Sequence, residues 1–378
     1  MRVLQLAARM LSLERFALPL MERLRDEGFD VEAMAQADGT EARLQEAGFQ
    51  VHDWNAGHTF NPLQIIRARR ELNAFLRERD YDIIHTHCSF GGIIGNPVAR
   101  RHARHVIYTQ HGFYVHRGLN PLMRAAWLTV ERIGLRHADH VICVSRAEQE
   151  LARTLGVGPP KKFVHVPGAG IDTARFRLDN EDRLSRRRRV RKELGLSEDE
   201  LVLLTVSRLT WDKGYREMID AVRMLRETGH EFVLLAAGSG KDEAGIRRAI
   251  EDAGVSDVFR LLGWRDDVID LYCAADVFVF ASHREGLPIA PIEAMASGLP
   301  VLVSDIPGCR EEVEHERSGL VFATGEAGAL VACLERVLRD ADLRERLPEA
   351  ARRRAQRFDI ANVLDRHVDL YRQVAARS

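Results

Sequence analysis

Apolar residues in this chain alternate between short unbroken runs and longer stretches in which they recur every three or four positions. The first pattern reads as a buried strand and the second as an amphipathic helix. In the first half, Arg2 to Ala7, Tyr81 to Thr86 and His105 to Thr109 read as strands. Helical patterns follow them over Leu13 to Glu27, Gly92 to His102 and Leu119 to Arg136. His140 to Val144 adds a strand before a helix that opens at Arg146, and Lys162 to Val166 closes the series. Such alternation predicts a parallel sheet with crossover helices, and near-continuous apolar strands predict cover on both faces.

The pattern lapses from Gly168 to Glu200, where Arg183 to Lys192 places seven basic residues in ten. We read this stretch as a solvated helix in connecting structure; a surface for a partner or nucleic acid is the alternative. Alternation then restarts. Strands are expected at Leu201 to Val206, Phe232 to Ala236, Val258 to Leu261, Asp276 to Ala281 and Pro300 to Ser304. Helices are expected at Gly214 to Arg226, Glu243 to Ala253, Val268 to Ala274 and Ile289 to Ala296, with a helical tail from Asp342 to Ala375. The predicted class is α/β, two Rossmann-like doubly wound parallel-sheet domains facing a cleft. Ligands in such sheets bind outside the carboxyl ends of the strands. The expected boundaries are 1–172 for the first domain, 173–199 for a linker with the basic helix, 200–355 for the second domain, and 356–378 for a C-terminal helix packing back toward the first.

A length of 378 residues suits two such cores. With 55 Lys+Arg against 56 Asp+Glu, the net charge of −1 speaks against a general affinity for nucleic acid. The five cysteines, Cys88, Cys143, Cys273, Cys309 and Cys333, are scattered and form no C-x-x-C pair, so a reducing cytoplasm is expected and a zinc knuckle is not. Arg9, Glu14 and Arg15 interrupt the first apolar stretch, which argues against a signal peptide and for Met1 as the start of the fold.

The densest chemical signal is Arg284 to Val301, REGLPIAPIEAMASGLPV. It starts at the carboxyl end of a strand, turns at Gly286 and Pro288, and opens a helix whose first amides have no intrahelical partner. Those donors suit a phosphate. Pro288 supplies no N–H, which leaves Gly286, Leu287, Ile289 and Ala290 as candidate amide donors. Glu285 and Glu293 flank this segment, and carboxylates accept hydrogen bonds from sugar hydroxyls; a loop charge and an exposed helix residue are the plainer alternative. Arg208 and Lys213 follow another strand on one loop. A planar guanidinium and a point-like ammonium together can neutralise a diphosphate. Gly238-Ser239-Gly240-Lys241 fails the P-loop pattern, because Leu235 and Asp242 occupy required positions. It remains a glycine turn that either lets backbone approach a nucleotide or simply turns. His85, His87 and His111 fall near strand ends. Only His85 and His87 share a spacing, one that puts both on one strand face, so no metal site is assigned.

The E-x7-E segment EGLPIAPIEAMASGLPVLVSDIPGCREEV resembles the donor-site motif of family 4 retaining glycosyltransferases of the GT-B fold. Similar segments follow in order: DIIHTH (82–87), YTQHGF (108–113), ADHVICVS (138–145), SRLTWDKG (207–214), Gly238 to Gly240 and GWRDDV (263–268). The resemblance implies transfer of a hexose or N-acetylhexosamine from a nucleoside diphosphate sugar, UDP-linked by preference, with no essential cofactor. It assigns catalytic roles to His111, Glu285, Arg208 and Lys213. Donor binding falls to Arg208, Lys213, Gly238, Gly240, Arg265, Glu285, Gly286, Leu287, Ile289 and Glu293. One departure is Ala8 to Ser12, where many members have a Gly-Gly turn; Arg9 or Ser12 replaces those contacts or the loop serves the acceptor, alongside His87 and His111. Asp340-Ala341-Asp342 falls among late helices, so no metal-binding Asp-x-Asp precedes the donor segments.

The first half most resembles members that extend lipid-linked sugars in bacterial surface polysaccharide assembly. A peripheral contact at the inner face of the membrane would follow, with Arg100, Arg101, Arg104, Arg117 and Arg124 as its basic residues; solvated arginine is the alternative. A soluble acceptor such as an aminocyclitol, a UDP-sugar epimerase, and a non-catalytic nucleotide-sugar or polyanion-binding protein stay open.

Overall fold

The computed structural model describes residues 1–57, 61–113, 120–227, 229 and 231–376. Arg117 and Leu119 lie outside them. The chain forms two compact units, one built from Met1–Gly170 with the segment from Ala361 onward, the other from Ile171–Ile360.

The first unit runs β1 (Arg2–Ala7), α1 (Met10–Phe16), α2 (Leu18–Asp26), β2 (Asp30–Ala35), α3 (Glu41–Glu46), β3 (Gln50–Asp53), α4 (Pro62–Arg77), β4 (Tyr81–His87), α5 (Cys88–Ala99), β5 (Ala103–Gln110), α6 (Pro121–His137), β6 (His140–Cys143), α7 (Arg146–Thr154) and β7 (Phe163–His165). Its seven strands are parallel in the order β3-β2-β1-β4-β5-β6-β7. The helix expected over Leu13 to Glu27 is two helices broken at Ala17, because Pro19 near the start of α2 cannot donate into a continuous ladder.

The second unit holds α8 (Asn180–Glu193), β8 (Leu201–Val206), α9 (Tyr215–Glu227), β9 (Phe232–Ala237), α10 (Glu243–Asp252), β10 (Phe259–Gly263), α11 (Val268–Ala274), β11 (Val277–Phe280), α12 (Ile289–Ala296), β12 (Val301–Ser304), α13 (Pro307–Glu312), β13 (Leu320–Phe322), α14 (Ala327–Arg339) and α15 (Ala341–Ala355). Six parallel strands lie in the order β10-β9-β8-β11-β12-β13, with an apolar cluster on each face. The chain then returns to the first unit as α16 (Ile360–Ala375), whose Val363, Val368 and Tyr371 pack with Val3, Ile83 and Ile107 of the sheet.

Helix α8 corrects the reading of the basic stretch as a solvated connection. Arg191 is fully buried and donates to the carbonyl oxygens of Ser197 (2.7 Å), Glu198 (2.9 Å), Glu200 (2.9 Å) and Ala274 (3.0 Å), while its Nη2 pairs with Asp276 at 2.7 Å. Arg187 meets the same Asp276 at 2.8 Å, Arg186 and Arg189 share Asp270, and Arg183 donates to the Ser297 carbonyl. The basic run anchors α8 to α11 and to the start of β8. Nor do the basic residues of the first unit form one surface. Arg100 and Arg101 follow α5 and Arg104 is the second residue of β5, all at the amino edge of the sheet, whereas Arg124 lies at the start of α6 on the carboxyl edge. Arg100 and Arg104 are moreover paired with Asp139 and Asp82.

Arg191→Leu should cost about 3–5 kcal/mol of stability, since it leaves four carbonyl groups without their donor and Asp276 with one cation fewer, while Arg188→Ala on the exposed face should change it by no more than about 0.5 kcal/mol. Urea midpoints of the two variants check the contrast.

Candidate functional site

In the second unit β8 and β11 are neighbours, but the chain leaves them in opposite directions, toward β9 and toward β12. The crevice at their carboxyl ends is the topological switch point at which doubly wound sheets bind ligands. Gly214, with φ of +77°, ends the turn after β8, and a Cβ there would lie 2.1 Å from the Ala281 carbonyl oxygen. Only glycine lets the two loops come this close. The Asp212 carbonyl accepts from the backbone of His283 (2.9 Å) and the hydroxyl of Ser282 (3.3 Å), which ties the loops together.

This approach sets Lys213 against Glu285. The Lys213 side chain is 6% exposed, its Nζ 2.7 Å from Glu285 Oε1 and 3.5 Å from Asp212 Oδ2. Ser282 Oγ donates to the same Glu285 oxygen at 3.1 Å. Arg208 is its opposite: 69% exposed, with Asp212 at 4.0 Å as its ion-pair contact. One cation is therefore fixed at the base of the switch point, and the other extends from its rim.

Gly238 and Gly240 have a clear structural duty. With φ of +144°, Gly238 places its Cα where a Cβ would meet the Ser207 oxygen at 2.0 Å, and a Cβ on Gly240 would meet the Leu209 oxygen at 2.3 Å. The glycine turn after β9 thus lies on the loop that carries Arg208. Arg265, after β10, is already engaged by Asp267 through Nε (2.7 Å) and Nη2 (2.6 Å) and by Glu193 through Nη1 (2.8 Å). A fork committed to two carboxylates has little left for a ligand, which favours the backbone of this turn over the Arg265 side chain.

Pro288 caps α12 without a side-chain bond, and Pro291 also lacks an N–H. Among the described residues, no hydrogen bond is donated by the amides of Gly286, Leu287, Ile289 or Ala290. One turn into α12, Glu293 accepts from the Tyr272 hydroxyl at 2.9 Å, a hydroxyl that also reaches the Ala290 carbonyl at 3.2 Å. Burial pushes the Glu293 carboxyl up to about 7, against the opposing pull of Tyr272 and Arg175. Two participants escaped sequence reasoning. Tyr272 sits among apolar residues of α11, and Glu312 ends α13 with both carboxylate oxygens buried and, among the described residues, without a hydrogen-bond partner. Burial, with Glu285 next, raises the Glu312 pKa well above the carboxylate range. A strand of Val and Phe preceding a turn gave the position of Glu285, but nothing in the local pattern marked either of these.

In the first unit His111 lies just past β5, its ring stacked on Phe16 at 4.8 Å between centroids, and His87 Nδ1 is 3.5 Å from its Nε2. Burial lowers the His111 pKa to about 4. Arg9 extends into solvent with Asp38 at 3.6 Å, and the Ser12 amide donates to the Arg9 carbonyl at 3.1 Å. Among the described residues no cluster of metal-ligating side chains is found, and no helix is long and apolar enough to cross a membrane.

Because folding holds a proton on Glu293 that the unfolded chain releases near its ordinary value, this group contributes stability below about pH 4.5 and withdraws it as pH rises toward 7. Glu293→Gln should therefore lose less stability than the parent between pH 4 and pH 8, by on the order of 2–3 kcal/mol in denaturant titrations, Glu312 being common to both proteins.

Comparison with known proteins agrees with this architecture. A family model described as a glycosyl transferase 4-like domain matches residues 13–169, and one described as glycosyl transferases group 1 matches residues 186–354. The N,N'-diacetylbacillosaminyl-diphospho-undecaprenol alpha-1,3-N-acetylgalactosaminyltransferase of Campylobacter jejuni is 27% identical over 96% of this chain and 96% of its own. The UDP-Gal:alpha-D-GlcNAc-diphosphoundecaprenol alpha-1,3-galactosyltransferase of Escherichia coli is 26% identical over 97% and 95%. Anabaena HepE, solved with UDP and glucose, superposes with a TM-score of 0.83 at 21% identity over 99% of this chain and all of its own. With both halves matched and the same two-sheet fold, the chain belongs to the family 4 glycosyltransferases of GT-B fold.

Proposed function

We propose that the chain transfers a hexose or N-acetylhexosamine from a UDP-sugar, with retention at the anomeric carbon, to a hydroxyl of a lipid-diphosphate-linked sugar. The observation that carries the donor half of this reading is the Lys213–Glu285 pair at the switch point, beside four backbone amides without partners among the described residues. Arg208, Lys213 and the amides of Gly286, Leu287, Ile289 and Ala290 receive the diphosphate; Glu293 accepts from the ribose hydroxyls and Glu285 from the sugar. The turns at Gly238 to Gly240 and Gly263 to Arg265 frame the nucleotide through backbone groups. As the bond from the anomeric carbon to UDP breaks, the acceptor oxygen forms its bond on the same face and its proton passes to a diphosphate oxygen. Amide dipoles fixed in advance, with Lys213 and Arg208 turned onto the leaving group, supply the stabilisation. His111 positions the acceptor, with His87 behind it and Arg9 and Ser12 on the neighbouring loop.

The acceptor half draws on the relatives. Both bacterial transferases act on diphospho-undecaprenol-linked sugars, and one of them uses UDP-Gal. HepE binds UDP and glucose within the same fold. A protein working on such lipids meets the membrane peripherally, at its inner face.

UDP should raise the melting temperature more than GDP or ADP at equal concentration. Lys213→Ala and Glu285→Gln should each reduce transfer at least about 100-fold while remaining folded. Product NMR should show the donor's anomeric configuration, and an inverted product refutes the retaining step. Undecaprenyl-diphosphate-linked monosaccharide should be glycosylated in preference to 2-deoxystreptamine, and the reverse order assigns a soluble acceptor.

A further inference from the structure

The sheet of the first unit carries a polar line through its core. Strand alternation puts Gln5 between Val3 and Ala7, His85 and His87 in step with Ile83, and Thr109 in step with Ile107, all on the face that α16 covers. Register brings Gln5 opposite His85, Ala7 opposite His87, and His87 opposite Thr109. All four polar side chains are essentially buried, so their hydrogen bonds must be found within the protein.

They form one connected chain. His85 Nε2 is 2.7 Å from Thr109 Oγ1, and His85 Nδ1 is 2.7 Å from the Tyr371 hydroxyl of α16. Gln5 Nε2 donates to that hydroxyl at 2.9 Å, Gln5 Oε1 is 2.7 Å from His87 Nε2, and His87 Nδ1 is 3.5 Å from His111 Nε2. We propose that this chain fixes which ring nitrogen of His111 carries the proton, which makes Gln5 and Tyr371 positioning residues; their place in the reaction rests on the glycosyltransferase reading above.

The assignment follows from what each group is able to donate. The Gln5 oxygen only accepts, so His87 carries its proton on Nε2 and leaves a lone pair on Nδ1. That lone pair is met by His111 Nε2–H, and His111 Nδ1 is left as an acceptor with no partner among the described residues. At the other end, Tyr371 accepts from Gln5 and so donates to His85 Nδ1, and His85 donates from Nε2 to Thr109. Turning the Gln5 amide end for end would reverse every donor along the line and present His111 with N–H outward. The orientation of this one amide, whose nitrogen faces Tyr371 in the structure, therefore decides whether His111 accepts from an incoming hydroxyl or donates to it. The line works only with uncharged rings. Burial is the leading cause that lowers all of them, His85 and His87 well below the usual imidazole value and the adjacent His367 to about 4.

The test is long-range proton–nitrogen NMR of the full chain labelled with 15N-histidine, with His111 assigned by loss of its signals in His111→Asn. The parent should show His111 protonated at Nε2. Tyr371→Phe, which removes only a hydroxyl, and Gln5→Leu should each populate both tautomers and lower kcat about 10-fold or more at unchanged donor KM. A parent protonated at Nδ1, or an Nε2–H form that persists unmixed in Tyr371→Phe, overturns the proposal, and Tyr371→Phe alone decides if Gln5→Leu fails to fold. The tautomer is read without substrate. A protein that shows it yet transfers no sugar keeps the relay and refutes the enzymatic reading.

Discussion

An ammonium group withdrawn from water is held in a folded protein only if something replaces its hydration, and at Lys213 that replacement is Glu285, with Asp212 behind it. Much of the second unit's carboxyl edge exists to make that pairing geometrically available. Gly214 yields the space of a side chain to the Ala281 carbonyl, Ser282 and His283 fasten on the Asp212 carbonyl, and Gly238 and Gly240 press the next turn onto the same loop. The charges around Lys213 sum to a near balance once exposed Arg208 is included. On the proposed reading, a diphosphate brought to this balanced site would draw Lys213 and Arg208 from their carboxylates and meet amides whose dipoles are fixed in advance. Little reorganisation is left for the moment of reaction.

The sequence is most transparent where an element is largely apolar and its ends are punctuated. Leu201–Val206, Val268–Ala274 and Ile289–Ala296 have the same ends in the structure as in the hydrophobic pattern. Asp30–Ala35 carries no continuous apolar run because Glu32 interrupts it, and a carboxylate within a strand looks like a loop residue until its partners are known. In the fold, Glu32 accepts from Tyr81, His52 and Arg2, residues drawn from three other places in the chain. The same blindness made α8 read as solvated: a local charge run carries no record that Asp270, Asp276 and several carbonyl groups await it far along the sequence.

Site residues divide along the same line. Glycines, a helix start and cations on strand-end loops are local signals, so the loops bearing Arg208, Lys213, Glu285 and Glu293 were visible one by one. Their meeting depends on strand order, since β8 and β11 are adjacent only because the chain doubles back around β9 and β10. Tyr272 and Glu312 had no local signal at all, being polar groups whose value appears only when α11 and α13 pack.

The two sheets also show what kind of polar group a buried strand tolerates. The central strands of the second unit are apolar apart from Thr205 and the terminal Ser304, and its charged chemistry is kept to loops, where ammonium and carboxylate can pair. The first unit instead admits polarity into the middle of its sheet, and it does so with Gln5, His85, His87 and Thr109, each able to be neutral while both donating and accepting. A carboxylate at any of these positions would need a counter-cation that the surrounding apolar cluster does not offer. Neutral, two-ended groups solve that problem and carry a consequence: their hydrogen bonds must agree in direction from one end of the line to the other. The polarity of the face beneath His111 is thereby set by the packing of α16, a helix that rejoins this unit only after the whole of the second has been traversed.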